Sequence, residues 1–369
     1  MRHQMKINLL ASLIVTFISI IILSSGFVSA QQMTLPSIKV VHTEADEFGE
    51  LDWSPDGDHI AWAVGNDIWI YSADLQNVYM RLKGHTDKVS SIDWSPDGTQ
   101  LVSASEDKTI RLWSMEAGDG FGTSKILPKG HTHFVLEVVW SPDGTKLASV
   151  AIDGPVRGEA VYYTTWVWDM KTQQVIRILP SATNSAAIAW HPNSVLLASG
   201  GYKIDENAVR IWDTATGEIV KGYPPGGDGH VTRVDWDSTG RLLAVARDGY
   251  NSSLNIAETD VDSIYYRMFL GLDGGTSSVD WRTDDKYFAG GGILGDIAIW
   301  HAATGKEVVQ IPLAHSGGIR EVEWSPDGTK LASTSAFDKT LRIWDASNLP
   351  NLDDTPTATA EWPTPTSIP

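Results

Sequence analysis

Two segments of this 369-residue chain carry histidine, serine, aspartate and tryptophan in the same order. The first three are the residue types of a nucleophilic hydrolase site, in which His takes the Ser proton and Asp orients the His. Because two segments share the order and the spacing, we interpret both as structural sets of a repeated unit rather than as catalytic triads. The sets are His85, Ser103 or Ser105, Asp107 and Trp113, and His315, Ser333 or Ser335, Asp338 and Trp344.

A possible metal site begins at His131 and His133, which have the spacing to project from one side of a strand. Asp153, further along the chain, could approach them, and two imidazoles with a carboxylate are ligands that zinc accepts. No third ligand is fixed by the spacing, however. We therefore predict no metal at this position.

Other catalytic patterns are missing from the sequence. It contains no G-x-S-x-G, no H-E-x-x-H, no phosphate-binding loop and no calcium loop. Gly290 to Gly295 matches G-x-G-x-x-G only in letters, because a strand rather than a helix is predicted to follow it. The chain has no cysteine, which excludes disulfides, thiolate metal sites and a cysteine nucleophile. These observations predict a protein that is not an enzyme and holds no cofactor.

The elements that carry these residues are short strands in a repeat. In the segment from Gly84 to Ser114, three strands are separated by the turns Ser95-Pro96-Asp97-Gly98 and Glu106-Asp107-Lys108. A unit of this size cannot bury its own faces, so it must stack against copies. The copies lie 41 to 50 residues apart, near the roughly 40 to 45 expected for a four-stranded propeller blade. Their strand-ending tryptophans are Trp53, Trp94, Trp140, Trp190, Trp236, Trp281 and Trp324.

The repeats resemble those of the WD-repeat proteins, because three units open with a Gly-His pair and three close with a Trp-Asp pair. The pairs are Gly84-His85, Gly130-His131 and Gly229-His230, with Trp168-Asp169, Trp212-Asp213 and Trp344-Asp345. The resemblance implies an all-β fold, a seven-bladed β-propeller with four-stranded antiparallel blades. It also implies that the N-terminal strand, Ser37 to His42, closes the ring and that the His-Ser-Asp-Trp sets are buried hydrogen-bond sets.

The first thirty residues form a different kind of segment. Arg2, His3 and Lys6 are basic, residues 9–23 are almost wholly apolar, and residues 28–30 are Val-Ser-Ala. An apolar run of this length is short for a spanning helix, which needs about 20 residues. We therefore predict a cleaved secretory signal peptide over residues 1–30, with an uncleaved membrane anchor as the alternative. In both cases the propeller, residues 31–349, is expected outside the cytoplasm, either secreted, in a periplasm or at the cell surface.

Charge and composition restrict the partners. The formal net charge is −18, and it becomes more negative if residues 1–30 are removed, because Arg2 and Lys6 are lost with them. A chain this acidic would be repelled by phosphate backbones. We predict no nucleic-acid partner, contact with a membrane only if residues 1–30 remain attached, and a monomeric state. Residues 350–369 are rich in Pro and Thr and are predicted to be a disordered tail.

The resemblance to the WD-repeat proteins implies that the blade-three insertion, Ile152 to Tyr163, opens on the same face as the Gly-His loops. A partner-binding face is therefore predicted there, over blades three to five. Insertions on one face of a repeat ring are typical of a binding face, although a tolerated surface insertion is the alternative. The first functional hypothesis is a non-catalytic extracytoplasmic scaffold that binds a protein or peptide on this top face. The residues predicted to contact it are Asp87, Lys88, His133, Phe134, Asp153, Arg157, Tyr162, Tyr202, Arg233, Tyr250 and Phe337.

The second hypothesis is a propeller enzyme or metal-binding propeller that uses the central channel. Residues 49–74 look like the Ser-Pro-Asp-Gly propellers of periplasmic Tol-system proteins, and some bacterial propeller lyases and lactonases use a channel metal. Three or more His and carboxylate side chains converging on the axis would favour this hypothesis. Buried His-Asp-Ser-Trp sets alone would favour the scaffold.

Overall fold

The chain is described by a computed structural model over residues 35–43, 48–116, 121–128, 130–153, 162–181, 187–201, 208–224, 229–249, 254–259, 266–269, 272–350 and 352. These residues form seven antiparallel sheets of four strands each. The all-β, seven-bladed propeller predicted from the sequence is therefore confirmed. Within the described residues, no helix has the length and apolar character needed to cross a bilayer.

In blades one to six the strands run in chain order from the innermost to the outermost position. Blade one consists of β2 (Phe48–Trp53), β3 (His59–Val64), β4 (Asp67–Ser72) and β5 (Val78–Lys83). Blade two consists of β6 (Val89–Trp94), β7 (Gln100–Ser105), β8 (Ile110–Ser114) and β9 (Ser124–Ile126). Blade three consists of β10 (Val135–Trp140), β11 (Lys146–Asp153), β12 (Tyr162–Asp169) and β13 (Gln174–Ser181).

Blades four to six repeat this order. Blade four consists of β14 (Ile188–Trp190), β15 (Leu196–Gly200), β16 (Val209–Asp213) and β17 (Ile219–Tyr223). Blade five consists of β18 (Val231–Trp236), β19 (Leu242–Arg247), β20 (Leu254–Glu258) and β21 (Tyr266–Phe269). Blade six consists of β22 (Thr276–Trp281), β23 (Tyr287–Gly292), β24 (Ile297–His301) and β25 (Glu307–Ile311).

Blade seven joins the two ends of the propeller. It consists of β26 (Glu321–Trp324), β27 (Lys330–Ser335), β28 (Thr340–Asp345) and the N-terminal strand β1 (Ser37–His42). Strand β1 pairs antiparallel with β28, with Val41 opposite Leu341 and an irregularity between Ser37 and Lys39. The predicted closure of the ring is thus confirmed, and it covers the sheet edge that β28 would otherwise expose.

The Ser-Pro-Asp-Gly turns end the first strands by a local set of hydrogen bonds. In blade two the Ser95 hydroxyl donates to Asp97 Oδ1 at 2.6 Å, and the Gln100 amide donates back to Ser95 Oγ at 2.9 Å. Gly98 has a φ of 71°, a conformation that residues with a Cβ rarely adopt. The turn therefore reverses the chain without leaving its polar groups unpaired.

The hydrophobic core lies between neighbouring blades rather than within one. Trp94 of blade two, for example, packs in one cluster with Ile68, Ile70 and Leu82 of blade one. Burial of one large apolar side chain contributes about 1.5 to 3 kcal/mol, so each blade depends on its neighbour for stability. The ring acts as a rigid frame for the loops at its two ends.

Candidate functional site

The two faces of the propeller follow from the alternating strand directions. The turns between first and second strands, such as residues 95–98, lie on one face, which we call the bottom face. The turns between second and third strands, such as residues 106–109, lie on the opposite face with the connections that lead into each next blade. We call this opposite face the top face, and its loops include His85, Asp87 and Lys88.

The first predicted set is a hydrogen-bonded chain in blade two. His85 Nδ1 lies 2.8 Å from Asp107 Oδ2, and His85 Nε2 lies 2.7 Å from Ser103 Oγ. The Trp113 indole N–H donates to the same Ser103 oxygen at 2.8 Å. Burial alone would raise the pKa of Asp107, but hydrogen bonds from His85 and Thr109 outweigh it and hold the pKa below its usual range.

The second set, in blade seven, has the same geometry. His315 Nε2 lies 2.8 Å from Ser333 Oγ, and Trp344 Nε1 donates to that oxygen at 2.9 Å. His315 Nδ1 lies 3.0 Å from Asp338 Oδ1. Burial lowers the pKa of His315, which favours the neutral form of its imidazole.

A third set in blade three was missed by the sequence interpretation. His131 lies 2.8 Å from both Asp153 Oδ2 and Ser149 Oγ, and Trp168 Nε1 donates to Ser149 at 2.9 Å. Asp153, which was predicted to contact a partner, is therefore bonded to His131 within the propeller. It stands 22 positions after His131, just as Asp107 stands 22 positions after His85. Within the described residues, no group of His, Asp and Glu side chains has the arrangement of a metal site.

These sets cannot perform hydrolase chemistry in this position. Ser103, Ser149 and Ser333 have no exposed surface. Each hydroxyl is shared between an imidazole and an indole N–H, so no substrate carbonyl can reach it. The sets instead satisfy buried polar groups and fix the top-face loops.

The remaining residues predicted for the top face lie in different surroundings. Asp87 is exposed, and the Lys88 ammonium lies 3.7 Å from Glu106. His133 is half-buried beside Phe134, and both Phe134 and Phe337 are exposed. Arg157, Tyr202 and Tyr250 lie outside the described residues, as does the side chain of Tyr162, whose backbone pairs with Asp153.

Arg233 is not a loop residue, contrary to the sequence prediction. It lies on β18, the innermost strand of blade five, and its guanidinium projects into the central channel. Its Nη1 donates to Glu50 at 2.7 Å and to Glu137 at 3.0 Å, and its Nη2 donates to Glu321. Burial raises the pKa of Glu137 and of Glu321 to about 8, although Arg233 opposes the shift.

A second layer of carboxylates surrounds the channel, one residue before five of the strand-ending tryptophans. Each accepts a backbone N–H from the first strand of the following blade. The bonds are Asp52 to Trp94 at 2.5 Å, Asp93 to Trp140, Asp235 to Trp281 at 2.8 Å, Asp280 to Trp324 at 2.6 Å and Glu323 to Trp53 at 3.2 Å. The sequence could have predicted this layer, because an acidic residue precedes the strand-ending Trp in five of the seven units.

The channel cavity has a volume of about 230 Å³, and eight carboxylate residues and Arg233 line it. Burial raises the pKa of Asp52 and of Asp235 to about 6, and it raises the pKa of Asp93, Asp280 and Glu323 as well. Buried acids of this kind can act as general acids. Here, however, the described lining contains no His, and the carboxylates are hydrogen-bonded to the blades that they join.

Known proteins with similar sequences share the repeat. Residues 76–114, 123–154, 173–213 and 306–345 match the family described as "WD domain, G-beta repeat". The chain is 26% identical over 189 residues to Protein HIR1 of Mycosarcoma maydis, covering 44% of this chain and 18% of that protein.

Two further relatives show the same partial overlap. WD repeat-containing protein 1 of Bos taurus is 29% identical over 200 residues, which is 42% of this chain and 32% of that protein. Eukaryotic translation initiation factor 3 subunit I of Emericella nidulans is 27% identical over 172 residues, which is 43% of this chain and 48% of that protein. The matches span less than half of each relative.

Proposed function

Because the chain belongs to the WD-repeat family of seven-bladed β-propellers, we propose that it is a non-catalytic scaffold outside the cytoplasm that binds a protein or peptide on its top face. A closed ring holds its loops in fixed positions, so little conformational entropy is lost when a partner binds. The proposal extends to a monomeric protein, since one chain completes the ring.

The distribution of exposed apolar side chains carries the proposal. Among the described residues, four large ones lie on top-face loops, namely Phe134, Leu294, Leu313 and Phe337, and one, Val195, lies in a bottom-face turn. Other exposed apolar residues are on the outer strands, where β-branched side chains are common. Exposed apolar side chains gathered on one face are typical of interaction sites.

The proposed location rests on the sequence of residues 1–30. Basic residues, an apolar run and a small-residue boundary make this segment similar to a secretory signal. The acidic charge and the absence of cysteine are compatible with an exported protein. One relative is named as a subunit of eukaryotic translation initiation factor 3, which supports partner binding in the same family.

The experiment is affinity capture with the full chain, expressed in its own organism and recovered from the envelope or medium. Wild type is compared with the double variant Phe134→Ser, Phe337→Ser and with the control Val195→Ser, whose side chain is as exposed as that of Phe134. We expect one protein to be enriched by wild type and by the control, and to be lost from the double variant. Equal capture by all three, or recovery of the chain only from the cytoplasm, would contradict the proposal.

The channel enzyme remains a second candidate, favoured by the eight carboxylates and their raised pKa values. Two observations support the scaffold over it. The carboxylates bond backbone amides of neighbouring blades, and Arg233 occupies the centre of the channel. An enzyme of this kind would lose turnover in Glu137→Gln without losing partner capture, which separates the two candidates.

A further inference from the structure

The top face over blades six and seven carries three strongly exposed apolar side chains. Leu313 and Phe337 have 75% and 76% of their surface exposed, and Leu294 has 54%. We call this group the apolar patch. Its members come from three different loops, so they do not form one local hydrophobic segment.

These loops are held against one another by backbone contacts. The His315 amide donates to the Gly295 carbonyl at 2.9 Å, and the Ile319 amide donates to the Gly292 carbonyl at 3.0 Å. Phe337 lies directly over Gly317, where an added Cβ would come within 2.4 Å of the Phe337 ring. The apolar patch is therefore a fixed surface of the propeller.

Leu313 is presented in a conformation that leucine rarely adopts. Its φ is 51°, in the left-handed region that disfavours side chains with a Cβ. Its amide donates to Asp296 Oδ1 at 2.7 Å, which holds the backbone in place. The hydrogen bond thus holds an apolar side chain in an exposed position.

Two arginines lie at the top of the channel, and one of them belongs to the loop that carries part of the apolar patch. Arg233 and Arg320 line the same small cavity, of about 90 Å³, at the top of the channel. Arg320 is exposed, and its charge acts on Glu321, whose pKa it helps to lower against the effect of burial. It is attached to the patch loops through its neighbour Ile319 and through its amide, which donates to the Thr334 carbonyl at 2.8 Å.

The two carboxylates that line this cavity already accept hydrogen bonds from Arg233. Glu50 and Glu137 both accept from Arg233 Nη1, and Glu321 accepts from Nη2. A guanidinium has five N–H donors, so two of those of Arg233 remain, together with all five of Arg320. Three glutamates balance the charge of Arg233, so Arg320 supplies the available cation at the mouth of the channel, in a chain of net charge −18.

We propose that the top-face partner is an acidic peptide segment, with an apolar side chain on the apolar patch and a neighbouring carboxylate between Arg320 and Arg233. This inference rests on the proposed scaffold function and names the chemistry of its partner. A carboxylate is the group that guanidinium donors bind best in proteins, and a rigid apolar surface beside it supplies contact area. The acidic remainder of the protein disfavours other binding positions for the same peptide.

The test measures binding of two fluorescent hexapeptides to the full chain by anisotropy. One has the sequence Gly-Leu-Phe-Asp-Glu-Gly and the other has Asn and Gln in place of the two acids. We expect the acidic peptide to bind about tenfold more tightly, with an advantage that falls as salt is added. Arg320→Gln should reduce the advantage to less than about twofold, whereas Arg241→Gln, an exposed arginine near a bottom-face turn, should leave it unchanged.

Leu313→Gly tests the apolar half of the surface without straining the fold, because glycine accepts the positive φ. We expect it to weaken both peptides by about fivefold or more while the melting temperature is kept. Equal binding of the acidic and neutral peptides, or an unchanged preference in Arg320→Gln, would overturn the inference. A concentration-dependent dimer that Leu313→Gly dissolves would overturn it in favour of a second copy of the chain.

Failure of this inference is distinguishable from failure of the proposed function. If the cellular partner is captured by wild type and lost from the Phe134→Ser, Phe337→Ser variant, the scaffold function holds. If the protein then bound the acidic and the neutral peptide equally well, only the proposal that the partner is acidic would be wrong.

Discussion

At the scale of single residues, the buried serines have the partners of a hydrolase nucleophile but a different role. In blade two the Ser103 hydroxyl is fixed by His85 on one side and by the Trp113 indole on the other. The imidazole that a hydrolase uses as a base is here a link between two strands and a loop. The set therefore contributes to stability rather than to reactivity.

Ser103→Ala should be strongly destabilising for this reason. It removes the acceptor of the Trp113 N–H and the partner of His85 Nε2 in a fully buried position, and a buried polar group left unpaired costs about 1 to 3 kcal/mol. Ser114→Ala is the matched control, at the half-buried end of the neighbouring strand. Urea unfolding should show a loss of at least about 1 kcal/mol for the first and less than about 0.5 for the second. Equal effects would show that the hydrogen-bonded set contributes nothing.

Residue by residue, the sequence predicts local partners better than distant ones. His85 and Asp107 could be paired because their separation recurs with the repeat, and the same separation of 22 would have identified Asp153. Arg233 could not be placed in this way. Its partners Glu50, Glu137 and Glu321 lie 183, 96 and 88 positions away, so they meet only when the ring closes.

At the scale of elements, the strand-ending tryptophans and their turns predict the blades because both signals are local. The structure extends the prediction at blade three, where β11, β12 and β13 have eight residues each. The segment interpreted as an insertion, Ile152 to Tyr163, thus begins and ends within paired strands. Length alone could not show this, because an added segment can lengthen a hairpin or a loop.

The closing strand β1 gives a prediction at the element scale. Val41 is paired with Leu341 and packs against the cluster between blades seven and one, whereas Ile38 lies at the irregularity of the ladder and is 51% exposed. Proline removes a backbone donor and is tolerated best at such irregular positions. We expect Val41→Pro to lower the free energy of unfolding by about 3 kcal/mol or more and Ile38→Pro by clearly less.

Thermal unfolding followed by tryptophan fluorescence measures the difference in stability between the two proline variants, and light scattering measures their aggregation. Val41→Pro should also scatter more light, because an unpaired β28 edge can pair with other chains. If the two proline variants were equally stable, β1 would not be the element that closes the ring energetically.

At the scale of the whole molecule, each blade contributes one first strand to the axis, and closure brings eight carboxylates around one channel. Carboxylates that bridge adjacent blades strengthen the ring only while their charges do not repel. Burial raises the pKa of Glu137 and of Glu321 to about 8, and that of Asp52 and Asp235 to about 6. Folding therefore favours the protonated form of these buried acids.

The stability of the propeller should consequently depend on pH in a defined direction. A carboxyl whose pKa is raised by folding contributes fully below its unfolded value, near 4.5 for Glu, and the contribution is lost as the pH rises through about 8. Asp107 and Asp153 act in the opposite direction, because their pKa values are lowered and their contribution is lost as the pH falls below about 4. Stability should therefore be greatest near pH 5 and decrease by a few kcal/mol between pH 6 and 9.

Glutamine in place of glutamate separates this effect from the general repulsion of an acidic chain. Glu321→Gln retains an oxygen that can accept from the Leu51 amide, and it resembles the protonated acid that the folded state prefers at pH 5. We expect this variant, and Glu137→Gln with it, to be less stable than wild type at pH 5, because the amide nitrogen cannot accept from Arg233. Both variants should nevertheless lose less stability than wild type between pH 5 and pH 9. The exposed Glu218→Gln removes the same charge outside the channel and should keep the wild-type slope. A wild-type slope in both channel variants would mean that the repulsion is spread over the surface, because the axis would then hold no protons whose loss weakens the ring.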